Sequence, residues 1–127
     1  MIWRRVSAAV VAATLAQGCS VHPEETIVGD FFAASRLRDL TALSRFATVV
    51  FEPRERGTVA VFSIRGVSAE RVEGRTPVKD VVVDASVRDP AGNTARKVLV
   101  VRLERRGSPT DGPSLYRGWI VTGVTDG

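Results

Sequence analysis

Hydrophobic residues follow two different periods along this chain. Between residues 24 and 47 they recur at the helical spacing of three to four positions; they are Ile27, Val28, Phe31, Phe32, Ala34, Leu37, Leu40, Leu43, Phe46 and Ala47. From Thr58 onward they alternate with polar residues, which is typical of half-buried strands. The pattern therefore predicts helices first and strands afterwards.

The helical region has a start signal and an internal break. Pro23, followed by two glutamates, is typical of a helix N-terminus, where proline fits the first turn and carboxylates complement the helix dipole. Asp39 is a suitable N-cap for a second helix. We therefore expect a helix pair, with one long helix over residues 24–50 as the alternative. Helical structure should end before Pro53, because the residue preceding a proline favours an extended conformation.

Four strands are expected in the second part of the chain. The first strand begins at Thr58, and the other three cover residues 81–87, 94–105 and 116–124. A turn is expected at 89–93 and a loop at 107–113. Ala60, Phe62 and Ile64 should share one face of the first strand. Strands that follow one another without crossover helices predict an antiparallel sheet. With the helices on one face of that sheet, the fold class is α+β.

The first 18 residues have the three-part organisation of a secretory signal peptide. Two arginines form the positive n-region, and the apolar h-region covers residues 6–15, whereas a bilayer core requires about 20 apolar residues. The segment LAQGC at residues 15–19 resembles the bacterial lipobox. This resemblance implies cleavage between Gly18 and Cys19 and attachment of diacylglycerol to the Cys19 thiol. The alternative for Cys19 is a buried core thiol.

The lipobox resemblance implies an organisation and a location. The predicted parts are a signal peptide at 1–18, a lipidated N-terminus with a short tether at 19–23, and a single α+β domain at 24–127. The membrane is then a partner through the N-terminal lipid. Ser20 rather than aspartate follows the cysteine, which by analogy with sorting in two-membrane bacteria favours the periplasmic face of the outer membrane within the cell envelope.

Charge and residue counts limit the partners and metal sites that can be expected for this chain. The 127 residues include 18 Lys+Arg and 14 Asp+Glu, and removal of Arg4 and Arg5 with the signal leaves a balance of +2. There is no basic run with interleaved aromatic residues, so nucleic acid is not an expected partner. One cysteine and one histidine exclude a disulfide framework and a multi-cysteine zinc site. No metal and no cofactor are expected.

Two stretches of the mature chain carry a resemblance to a known fold family. They are VGDFFAAS at residues 28–35 with RDLTAL at 38–43, and GWIVTGV at 118–124. They resemble the opening helices and the last strand of nuclear-transport-factor-two-like domains, which have a cystatin-like α+β fold. The resemblance implies a cone, in which a curved four-stranded antiparallel sheet wraps the N-terminal helix or helix pair and leaves a pocket at its wide end. Small bacterial lipoproteins commonly carry such domains.

Four residues are candidates for lining such a pocket: Phe62, Asp84, Tyr116 and Trp119. Catalytic members of the superfamily, the ketosteroid isomerases, use a carboxylate base with a tyrosine or a second acid in an apolar pocket. Asp84 lies in the middle of a valine-rich strand, and Tyr116 is the only tyrosine. The alternative for Asp84 is the solvent face of its strand, paired with Arg102 or Arg96.

Two functions are compatible with these features. The favoured one is a lipid-anchored, non-catalytic binding or interaction module of the bacterial cell envelope, with an envelope protein as partner and an accessory role in an envelope complex. The alternative is a small pocket-containing enzyme or apolar-ligand carrier of the ketosteroid-isomerase-like type. No catalytic residue is assigned. A core filled by Phe62, Tyr116 and Trp119 would favour the module, and an open apolar cavity containing Asp84 or Tyr116 would favour the alternative.

Overall fold

A computed structural model describes residues 22–106 and 116–127 and has an α+β fold. The predicted loop at 107–113 lies outside the described residues. The elements within them are α1 (Glu25–Leu37), α2 (Leu40–Leu43), α3 (Pro53–Arg56), β1 (Thr58–Val67), β2 (Arg71–Glu73), β3 (Thr76–Arg88), β4 (Thr94–Arg105) and β5 (Trp119–Asp126). None of the described helices is long and apolar enough to cross a membrane.

The described strands form one five-stranded antiparallel sheet that is not closed. The order is β1-β3-β4-β5, and β2 pairs with the beginning of β3. The sequence predicts four strands, and this number is wrong by one because β2 is missed. With three residues, β2 is too short to show alternation. It is joined to β3 by a two-residue turn in which Gly74 has a φ of 65°, a conformation that glycine adopts without strain.

The inner face of the sheet follows the predicted alternation in β3 and β4. These strands pair without interruption from Val78 opposite Glu104 to Arg88 opposite Thr94. Seven apolar residues on this face are at most 2% exposed, whereas Ala95, opposite Val87, is exposed; the seven are Val81, Val83, Ala85, Val87, Leu99, Val101 and Leu103. Continuous pairing keeps every second side chain on the same face, so the sequence pattern alone is sufficient to place this part of the core.

The expected face of β1 requires a correction at Ala60. Phe62 and Ile64 pack against the core, but Ala60 is exposed and Val59 is buried. The register shifts between Val59 and Val61, which marks a β-bulge. Because a bulge adds one residue to one strand, it reverses the faces of the residues that precede it.

Helix α1 covers the inner face with aromatic and aliphatic side chains. Val28, Phe31 and Phe32 are at most 2% exposed. The Phe32 ring packs on the rings of Phe51 and Phe62, with centroids 5.6 and 5.7 Å apart. Helix and sheet therefore share one core, as the α+β fold class requires.

The helix pair is confirmed, and the long helix is excluded. Arg38 ends α1 in the left-handed conformation, with a φ of 50°. The Asp39 side chain then accepts a hydrogen bond from the Ala42 N–H at 3.1 Å and caps α2. The residue before Pro53 is extended as expected, since Glu52 has a ψ of 113°, but helical structure resumes because Pro53 begins α3. Proline at the first helical position lacks an N–H that would be unpaired there in any case.

Of the last two strands, β4 matches its predicted bounds and β5 starts later than predicted. β4 has the predicted bounds, and the turn before it is closed by a hydrogen bond from the Asn93 N–H to the Asp89 carboxylate at 2.9 Å. β5 begins at Trp119 rather than at Tyr116. The difference arises because Arg117 and Gly118 have φ values of 53° and 84°, which turn the backbone before the strand starts.

Candidate functional site

The four candidate pocket residues do not form one site. Phe62 packs in the core beside Phe32. Asp84 faces away from the core on β3 and lies 3.7 Å from Arg65, which corresponds to the solvent-face alternative but with a partner on β1. Tyr116 and Trp119 line a common cavity.

The two predicted processing residues, Gly18 and Cys19, lie outside the described residues.

A cavity of about 360 Å³ lies between the start of α1 and one end of the inner face of the sheet. Its polar and aromatic lining consists of Glu24, Thr26, Lys79, Arg105, Tyr116, Arg117 and Trp119. Lys79 and Arg105 come from neighbouring strands, since Lys79 pairs with Leu103 and Arg105 pairs with Trp119. The sheet thus brings two cations and an indole ring to one end of the core.

Sequence reasoning missed Lys79 and Arg105, although a signal for both is present. Lys79 precedes Val81 by two positions, and Arg105 follows Leu103 by two positions. Each cation therefore continues the inward phase of an alternating strand, at a position where an apolar residue is expected. A charged residue in phase with a core face indicates either a paired ion or a binding site, because an unpaired buried charge is costly.

The indole ring of Trp119 contacts both cations. Lys79 Nζ lies 4.3 Å from the ring centroid and Arg105 Cζ lies 4.7 Å from it. Such cation–π contacts are worth about 0.5–2 kcal/mol each, depending on how far the cation is removed from water. Trp119 is 6% exposed, so its ring is fixed in place by the core on one side and by these cations.

Lys79 is neutralised by Glu24 from the start of α1. Lys79 Nζ donates a hydrogen bond to Glu24 Oε2 at 2.6 Å, and the two side chains are 14% and 12% exposed. Burial raises the pKa of Glu24, but the hydrogen bond from Lys79, a backbone hydrogen bond and the charges of Lys79 and His22 together outweigh burial. The pKa of Glu24 is therefore lowered. This ion pair joins α1 to β3 at the edge of the cavity.

Arg105 and Arg117 are less completely paired. Arg105 Nη2 lies 3.8 Å from Glu70, at the long limit for an ion pair. Its Nε is buried and finds no acceptor among the described residues. Arg117 is exposed, and its φ of 53° is uncommon for a residue other than glycine. Among the described residues, the two guanidinium groups of the cavity thus have more donors than acceptors around them.

Tyr116 also borders a second, more apolar groove. The groove has a volume of about 430 Å³, and it is lined by Asp30, Ala33, Ala34, Leu37, Asp39, Ala42, Arg45, Phe46 and Tyr116. The Tyr116 hydroxyl donates to Asp30 Oδ2 at 2.6 Å. Burial raises the pKa of Tyr116, the hydrogen bond and charge of Asp30 raise it further, and it reaches about 12. The phenol therefore stays protonated and serves as a hydrogen-bond donor.

Charged residues on the outer face of the sheet pair with one another. Arg71 contacts Glu73 and Asp80 at 2.9 and 3.0 Å, and Arg102 contacts Glu73 and Glu104 at 2.6 and 3.2 Å. The hydrogen bonds from Arg102 and then Arg71 lower the pKa of Glu73. Solvent-exposed pairs of this kind are worth little individually. Among the described residues, no cluster of three or more histidine, cysteine, aspartate or glutamate side chains could hold a metal ion.

Comparison with known proteins identifies no relative of this chain. No family model, no curated protein and no solved structure matches the chain.

Proposed function

We propose that this protein is a lipid-anchored, non-catalytic binding module of the bacterial cell envelope, held at the periplasmic face of the outer membrane. The observation that carries the proposal is the position of the cavity formed by Lys79, Arg105 and Trp119. Its lining begins at Pro23, four residues after Cys19. A binding site so close to the lipidated residue serves a ligand or partner at the membrane surface. This position supports an accessory role in an envelope complex.

The packing of the inner face supports a non-catalytic role. Phe31, Phe32 and Phe51 fill the space between α1 and the sheet, so no pocket opens around Asp84 there. The buried Ser35 hydroxyl is already used, because it accepts a hydrogen bond from the Phe51 N–H at 3.1 Å. Asp84 lies on the opposite face of the sheet.

We infer that the sheet curves around α1 in the cone-like manner of nuclear-transport-factor-two-like domains. Register shifts in β1, between Val59 and Val61 and between Ile64 and Gly66, support this shape, as does a third shift between β4 and β5. Bulges bend a strand and increase its twist, so bulges near both edges of the sheet would curve it.

The anchor itself is tested by substituting the single cysteine. We expect Cys19→Ser to abolish incorporation of a fatty-acid analogue and to release the protein from the membrane fraction, because only a thiol forms the thioether to diacylglycerol. Ser20→Ala is the matched control and should label like the wild type. Equal labelling of wild type and Cys19→Ser would overturn the anchored module.

One observation favours a second candidate, an apolar-ligand carrier or small enzyme of the ketosteroid-isomerase-like type. Tyr116 and Asp30 combine a protonated phenol and a carboxylate beside an apolar groove, which is the pair of groups that the family resemblance implies. The carboxylate is Asp30 rather than Asp84. A hydrophobic ligand that binds or reacts with the wild type but not with Tyr116→Phe would favour this candidate over the module.

A further inference from the structure

We propose that the cavity formed by Lys79, Arg105, Arg117 and Trp119 binds the phosphate of an anionic lipid headgroup. This inference rests on the proposed function, since it takes the lipid anchor to hold the cavity at a membrane. It deepens that function by naming the chemical class of the ligand.

The charges in the cavity favour an anion. Of the charged side chains that line it, Lys79, Arg105 and Arg117 are cationic and Glu24 is anionic. Glu24 is already held by Lys79 at 2.6 Å, so this pair is close to neutral. The two arginines then leave a net positive charge at the cavity. An incoming carboxylate or phosphate would meet guanidinium donors rather than a free carboxylate.

Arg105 is specifically suited to a phosphate. Its guanidinium is stacked on Trp119, and the nearest carboxylate, Glu70, is 3.8 Å away. Its Nε is buried without an acceptor among the described residues, and a buried donor without a partner is unusual and costly. Phosphate oxygens accept parallel hydrogen bonds from the fork of a guanidinium, and the Arg105 side chain is 29% exposed, which leaves part of it accessible to a ligand.

Arg117 adds a second guanidinium from a strained backbone position. A φ of 53° places it in the left-handed region, which a non-glycine residue adopts only when its surroundings impose it. The next residue, Gly118, also has a positive φ, and the turn that they form leads directly into Trp119 of β5. Backbone strain of this kind concentrates at ligand-binding positions, which supports a role for Arg117 in the cavity.

The location of the cavity favours a lipid headgroup over free phosphate. Pro23 and Thr26 are exposed at its rim, and Pro23 follows Cys19 by only four residues. Tryptophan side chains are enriched at membrane–water interfaces, and basic groups close to a membrane are attracted to anionic lipids. A volume of about 360 Å³ is within the range of small-molecule sites and accommodates a phosphodiester headgroup.

The test follows the Trp119 indole resonance in the full chain. The uncleaved chain contains two tryptophans, Trp3 and Trp119, so labelling with ¹⁵N-tryptophan gives two indole signals, and Trp3→Phe assigns them; cleavage after Gly18 would leave the Trp119 signal alone. The protein, in uncharged micelles, is titrated with short-chain phosphatidylglycerol, short-chain phosphatidylcholine and inorganic phosphate. We expect a saturable shift of the Trp119 signal with phosphatidylglycerol and at least about tenfold weaker binding of the other two probes.

Matched arginine substitutions complete the test. Arg105→Gln should weaken phosphatidylglycerol binding at least about tenfold, and Arg117→Gln should weaken it severalfold, because each removes a charge-assisted donor. Arg96→Gln removes the same charge near the opposite end of β4 and should bind like the wild type. If Arg105→Gln does not retain the dispersed spectrum of a folded chain, Arg117→Gln alone decides.

Several results would overturn the proposal. They are the absence of a saturable Trp119 shift, equal effects of the cavity substitutions and Arg96→Gln, and equal affinity for phosphatidylcholine. Equal affinity for inorganic phosphate would assign the cavity to free phosphate instead of a headgroup. None of these results depends on lipidation of Cys19, so failure here is distinguishable from failure of the anchored module, which the fatty-acid labelling measures.

Discussion

At the scale of single residues, Lys79 shows how a charge can occupy a core position. It lies in phase with Val81 and Val83 on the inner face of β3, and its side chain is accordingly only 14% exposed. Two partners make this position tolerable: the Glu24 carboxylate at 2.6 Å and the Trp119 ring at 4.3 Å. A buried ion pair gives little net stability compared with apolar packing, but removal of one partner leaves an uncompensated charge.

This ion pair predicts a pH-dependent effect of Lys79→Met. The pKa of Glu24 is lowered from 4.5 in the folded protein, so the pair contributes stability above about pH 4.5 that is lost as the pH falls below the folded pKa. We expect Lys79→Met to lower the free energy of unfolding at pH 7 by about 2 kcal/mol, less than the ~3–5 kcal/mol of a fully buried pair. The difference in the free energy of unfolding between Lys79→Met and wild type should become smaller as the pH is lowered from 7 to 3.

Denaturant unfolding at both pH values measures this effect. Lys97→Met is the control, because Lys97 is the other lysine of the chain and is exposed. Loss of stability through Glu73, whose pKa is also lowered, occurs in all variants and cancels in the comparison. A deficit of Lys79→Met that stays constant down to pH 3 would show that the Glu24 ion pair is not its cause.

At the scale of secondary-structure elements, the junction between α3 and β1 depends on one glycine. Gly57 has a φ of 88° and a ψ of −162°, and a Cβ atom at this position would overlap with the carbonyl oxygen of Arg88. The neighbouring Arg56 ties the same junction to β5, donating to the Val124 carbonyl oxygen at 2.8 Å and to Asp126 at 2.9 Å. The end of α3 is thus held against two strands.

Gly57→Ala is therefore expected to destabilise the fold. Strain at the backbone and the contact with Arg88 should together cost about 3 kcal/mol, the upper part of the range for a strained residue. Gly66→Ala is the matched control, because Gly66 has no positive φ and a Cβ there meets nothing within 4 Å. It should change stability by less than about 0.5 kcal/mol. Thermal unfolding of the two variants compares them directly, and equal melting temperatures would contradict the assignment.

At the scale of the whole molecule, the proposed anchor restricts where the domain can lie. The described structure begins at His22, whose carbonyl oxygen accepts a hydrogen bond from the Glu25 N–H at 3.1 Å. Three peptide units separate Cys19 from His22 and span at most about 11 Å. A domain held this closely would face the headgroups with the start of α1 and the adjoining cavity.

Hydrogen exchange on the lipidated protein in nanodiscs tests this short tether. We expect amide protection from Val28 onward, since the Val28 N–H donates to the Glu24 carbonyl oxygen at 3.1 Å within α1. The amide of Leu99, in the centre of the sheet, provides the internal reference for full protection. Fast exchange that continues through Phe31 would show a frayed helix and a longer tether.

The amino-acid sequence by itself determined the elements whose residues interact locally. Three features can be recognised in the sequence: the N-cap at Asp39, the turn after Asp89 and the bounds of β4. They depend on short-range hydrogen bonds and on period-two alternation, which involve residues close together in the sequence. Two features cannot be recognised in the sequence: the bulge beside Ala60 and the start of β5 at Trp119. Both depend on how one strand pairs with another. The short β2 also forms only against β3.

The candidate site was decided almost entirely by tertiary structure. Trp119 and Tyr116 could be selected from the sequence as aromatic residues near a terminal strand, but the cations beside them could not be paired with them. Lys79 and Arg105 are 26 residues apart in sequence and meet at Trp119 only because β3, β4 and β5 are adjacent and antiparallel. Whether such a charge is exposed, paired or available to a ligand is set by the groups that surround it, and long-range contacts determine these groups.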